Sequence, residues 1–150
     1  MVDSPITWLV RSIHVFGAAV WLGGYVVMLL AVVPYLARER NESVRAIALA
    51  TARVISIAGA LTVIVGLVMI SRSRGYGFLL VGEWGAIITS SIVLAVIMGA
   101  IGNAGLRPAI RRLDREPPGG VAVVRRWALA GLVFGVLAVL LMTRAMYARS

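Results

Sequence analysis

The sequence predicts an all-α integral membrane protein, a four-helix bundle with both termini on the outer side. Three observations carry this. Hydrophobic residues make up 61% of the 150, where a soluble domain is nearer half. Four stretches reach the roughly 20 apolar residues that a helix needs to cross a bilayer core of about 30 Å. The connectors between them are too short to fold alone, so they join antiparallel neighbours within one domain.

The first span covers about residues 6–36. No basic segment precedes it, and it is too long for the apolar part of a signal peptide. The connector A-R-E-R-N-E-S leads to a second span at about 44–70, and S-R-S-R-G-Y-G-F leads to a third at about 83–106. Glu83 opens that span, where a carboxylate suits a helix N-terminus; it is expected as a cap or as a partner for Arg72 or Arg74. The connector R-P-A-I-R-R-L-D-R-E-P-P-G-G precedes the fourth span, about 121–147.

Arginines set the orientation. Arg38, Arg40, Arg45, Arg107, Arg111, Arg112, Arg115, Arg125 and Arg126 flank the first and third connectors; Arg72, Arg74, Arg144 and Arg149 lie on the other side. Basic residues favour the cytoplasmic face, so the termini are expected outside and the location is the cell membrane, multi-pass. The net charge of +9 then faces anionic lipid. Nucleic acid is not an expected partner, because no basic stretch falls in a soluble domain.

The chain has no cysteine and no lysine. That excludes disulfides, thiolate metal sites and Schiff-base chemistry. No carboxylate pair, serine nucleophile or phosphate-binding loop is present. Small residues recur in every span: Gly17, Gly23 and Gly24; Gly59 and Gly66; Gly99, Gly102 and Gly105; Gly131 and Gly135. They allow close helix approach, or room for a flat cofactor, and they make a homo-oligomer plausible.

One face of the first span is polar. His14, the only histidine, shares it with Arg11, Gly17, Ala18, Trp21, Tyr25 and Met28 at helical spacing. Polar groups inside a span usually face a bundle interior or a cavity. Three roles fit His14: interhelical glue, an axial ligand to haem iron, or a Cu(I) ligand beside methionine thioethers. Gly17 and Ala18 would leave space for a macrocycle, Trp21 and Tyr25 would pack on it, and Arg11 would pair with a propionate. Met69, Met142 and Met146 fall near the expected depth of His14, and the first two are candidate metal ligands. Arg53, about two turns inside the second span, either snorkels to the nearer face or meets an anion such as a propionate.

The stretch I-H-V-F-G-A-A-V-W-L-G-G-Y resembles the first-helix signature of the CopD-like membrane family, with its histidine, small residues and W-x-G-G. It is also similar to related four-helix membrane proteins and, more distantly, to the four-helix membrane protoporphyrinogen oxidase. The CopD resemblance implies copper handling. The oxidase resemblance implies b-type haem on His14, with a later lysine for which this chain has no counterpart. The expected function is therefore a b-type haem-binding membrane protein, for electron transfer or small redox chemistry with a redox partner or quinone. Copper binding or transport is the alternative, and a cofactor-free structural subunit is the third class. Iron on His14 would be five-coordinate, or completed by Met69, Met142 or a second protomer's histidine.

Overall fold

The computed structural model describes residues 5–39, 41–73, 75–113, 119–145 and 147. Arg40, Arg74, Arg115, Met146 and Arg149, which entered the expectations above, lie outside the described residues. Among the described residues all regular structure is helical. Four helices are long and apolar enough to cross a membrane: α1 Pro5–Arg38, α2 Glu42–Arg72, α3 Gly82–Arg111 and α4 Gly120–Ala145.

Asn41 starts α2 by accepting the Val44 N–H on its side-chain oxygen at 2.9 Å, which satisfies one of the open donors of a first turn. α3 runs past Leu106 to Arg111 although Pro108 stands in it. A proline lacks the N–H and crowds the carbonyl four residues back, here that of Ala104. Ala104 lies in a π-helical segment, Ile101–Leu106, whose wider turn accommodates the ring. α1 repeats the device: the π segment Met28–Val32 contains Leu30, four residues before Pro34.

The helices associate as two tight antiparallel pairs, α1 with α2 and α3 with α4, which meet across two looser seams. The core runs through Trp21, Tyr25 and Met28 of α1, Ile55 of α2, Met98 and Ile101 of α3, and Val124 and Ala128 of α4. At the end of the bundle where α1 begins and α4 ends, Glu83 pairs with Arg144 of α4 and, among the described residues, not with Arg72. The pairing of α3 with α4 brings those two helix ends together, a relation that linear order does not reveal.

Candidate functional site

The site residues sit on the α1–α2 contact, which interlocks small residues with large ones. A β-carbon on Gly17 would meet Thr62 Oγ1 at 2.6 Å, one on Gly59 would meet Trp21 Cε2 at 2.6 Å, and one on Gly24 would meet Ile55 Cγ1 at 2.5 Å. Across the other seam, the Tyr25 ring lies against Gly131, and a β-carbon on Gly135 would meet Leu22 Cδ1 at 2.6 Å. These glycines admit protein side chains, so the room they create is used for helix packing; no flat slot remains there.

His14 belongs to the same contact. Its ring crosses to α2, where Nδ1 hydrogen-bonds the backbone carbonyl oxygen of Thr62 at 2.9 Å. Gly66 provides the clearance: a β-carbon there would lie 3.0 Å from His14 Cε1. A carbonyl oxygen has no proton to give, so Nδ1 carries the hydrogen, and the tautomer that leaves a lone pair on Nε2 is the one this contact selects. Metal-binding imidazoles are oriented in this way, one nitrogen donating to a carbonyl and the other left for the metal. Thr62 turns its own hydroxyl away, donating to the Ala58 carbonyl at 2.8 Å.

Both candidate methionines continue helix stripes whose earlier residues meet α1. Met69 continues the α2 stripe of Ile55, Thr62 and Gly66, one turn beyond the His14 contact, and is half-buried. Met142 continues the α4 stripe of Gly131 and Gly135, seven residues on, and is 36% exposed. The antiparallel register that sets Leu22 beside Gly135 carries Met142 to about the level of His14.

The other expected site residues separate from His14. Tyr25 is fully buried and donates its hydroxyl to the Met98 carbonyl at 3.2 Å. Trp21 and Tyr25 border a groove of about 330 Å³ in the α2–α3 seam, whose walls include Ser56, Ala95, Gly99 and Asn103; His14 is not among its lining residues. Arg53 is exposed on α2, thirteen residues before Gly66, which underlies the His14 ring; that is about 20 Å along the axis. Arg11 is exposed one turn before His14 and Ala18 is half-buried one turn after it. The donor on His14 therefore fits a metal, while the side chains expected to wall a haem do not share a cavity with it.

Two participants escaped the sequence reading. The Thr62 acceptor is main chain and leaves no trace in a side-chain pattern. Gly66 was visible as a small residue, and its seven-residue spacing from Gly59 was the signal that it shares the α1-facing stripe. Comparison with protein-family models, with curated proteins and with solved structures finds no match to this chain.

Proposed function

We propose that this chain is a multi-pass membrane protein that binds a redox metal centre through His14 Nε2, with b-type haem iron as the metal. The observation that supports this is the Nδ1–H bond to the Thr62 carbonyl, which holds the ring in one tautomer with Nε2 as its free donor. Haem, when bound, supplies one-electron redox chemistry at the iron. The protein's part is to orient the imidazole: Gly66 lets the ring approach α2, and Gly17 lets Thr62 sit against α1. Because the glycine spaces of the bundle are filled by side chains, a macrocycle held by the half-buried His14 would lie outside the packing of one chain, against lipid or a second protomer.

Copper is the second reading. It is favoured by Met69 and Met142, which continue α1-facing stripes near the level of His14; an imidazole with thioethers is a soft donor set suited to Cu(I). Copper needs no macrocycle slot.

The deciding experiment is the absorption spectrum of protein purified in detergent from haem-replete cells, oxidised and then dithionite-reduced, with metal analysis of the same sample. The haem reading requires a Soret band that His14→Ala removes. Colourless protein with stoichiometric copper would replace haem by copper. Protein with neither metal, whose assembly survives His14→Gln, would leave His14 as an interhelical tether.

A further inference from the structure

The α2–α3 seam is open for a local reason. α1 and α3 share an architecture, each an α-helix interrupted by a π segment with a proline just after it. Aligning the π segments at their first residues, Met28 and Ile101, sets Leu22, Val26 and Leu29 of α1 opposite Ala95, Gly99 and Gly102 of α3. In α1, Leu22 fills the seam against Gly135. In α3 the corresponding positions are small, and they line the groove, whose floor is Trp21 and Tyr25.

The groove has a polar, cationic end. On α3, Asn103 is a lining residue and accepts a hydrogen bond from Arg107 at 3.1 Å. On α2, Arg53 lies one turn before Ser56, another lining residue, at the same end of the bundle. Ser56 and Gly102 are level, since a β-carbon on Gly102 would lie 3.7 Å from Ser56 Oγ. The nearest carboxylate on Arg53's own helix, Glu42, is eleven residues away, about 16 Å along the axis. A cation at that depth in an apolar span is costly unless an anion meets it.

We propose that this groove binds one anionic phospholipid. The headgroup phosphate meets Arg53 and the Arg107–Asn103 pair, and an acyl chain lies along Gly59, Val63, Ala95 and Gly99 over the Trp21 ring. Cations set between helices at a membrane face recognise such headgroups, and the apolar length of the groove selects a lipid over a free phosphate. This assignment is independent of any metal at His14.

The test is native mass spectrometry of delipidated protein in detergent, titrated with phosphatidylglycerol, with phosphatidylcholine of the same chains, and with inorganic phosphate. One phosphatidylglycerol should bind in preference to phosphatidylcholine. Arg53→Gln should weaken it about fivefold, the effect of one interfacial cation, and Arg53→Lys should restore most of it. Gly99→Leu should also weaken it by filling the groove; a β-carbon there meets nothing within 4 Å, so the thermal midpoint should hold. Equal binding of both lipids, unaltered by Arg53→Gln, would mean that Arg53 snorkels, and would overturn the proposal. So would inorganic phosphate binding as tightly as the lipid with Gly99→Leu silent. A dimer abolished by Gly99→Leu in the absence of lipid binding would assign the groove to a second copy instead.

Discussion

His14 is held by the main chain of α2, its Nδ1 donating to the Thr62 carbonyl oxygen across 2.9 Å. Among the described residues no acid orients it, and no side-chain substitution can delete the acceptor. The ring's position is instead sensitive to the clearance beneath it. A β-carbon on Gly66 would stand 3.0 Å from Cε1 and 3.3 Å from Nδ1, closer than side chains ordinarily approach. Gly66→Ala should therefore displace the imidazole and lower the cofactor content of purified protein, and Gly66→Val should abolish it, as His14→Ala does. The Soret absorbance per protein, or the copper content, reads this directly. An unchanged content in Gly66→Val would show that His14 holds no metal.

Tyr25 and Gly131 meet in the α1–α4 seam, the ring lying where a β-carbon would stand. A rigid, fully buried ring has little room to yield. Gly131→Ala should cost about 1–3 kcal/mol, the usual range for overpacking. Tyr25→Phe removes the hydroxyl and with it the bond to the Met98 carbonyl, each such bond being worth about 0.5–1.5 kcal/mol. In a Tyr25→Leu background Gly131→Ala should cost much less, because the two residues share one contact. Unfolding in detergent measures all four proteins; additive losses would mean that the ring is not the obstacle.

The pair of Glu83 and Arg144 joins the start of α3 to the end of α4, but its side chains are 42% and 60% exposed. Exposed pairs contribute about 0–1 kcal/mol. Glu83→Gln should lower the thermal midpoint slightly at low ionic strength and not at all in 1 M salt, where screening acts within about 3 Å. A large loss that persists in high salt would give this contact a structural weight that its exposure denies.

The four helices were legible because each span is apolar along its whole length, and the glycine stripes were legible as close packing because their spacing is helical. The continuation of α3 through Pro108 was not. Proline reads as a terminator, and the π segment that accommodates it has no composition of its own. The polar face of α1 correctly grouped His14, Trp21 and Tyr25, but one stripe of a helix can face two neighbours. His14 and Trp21 turn to α2 while Tyr25 reaches α3 and α4, so residues that share a face in sequence do not share a pocket. Arg53 was recognisable as a cation that either snorkels or meets an anion; that Ser56, one turn on, lines a groove depends on Ala95, Gly99 and Gly102 standing across the seam, a tertiary fact.

The methionines separate haem from copper. Met142 and Met69 continue the α4 and α2 stripes whose earlier residues meet α1, and leucine matches methionine closely in volume, so each substitution removes a thioether while the packing is retained. If copper is bound by His14 with these thioethers, Met142→Leu and Met69→Leu should each weaken copper about tenfold or more, and the double substitution should abolish it. If haem iron is ligated by His14 and Met142, Met142→Leu should keep the haem but open the sixth position. The reduced spectrum would then broaden and respond to CO, and the reduction potential would fall, because thioether ligation raises it. If iron is five-coordinate, the wild-type protein already binds CO and neither leucine changes the spectrum. Reduced spectra with and without CO, together with a copper titration of the same four proteins, distinguish these outcomes. A protein whose copper affinity and spectrum are both indifferent to the double substitution would remove Met69 and Met142 from any metal site at His14.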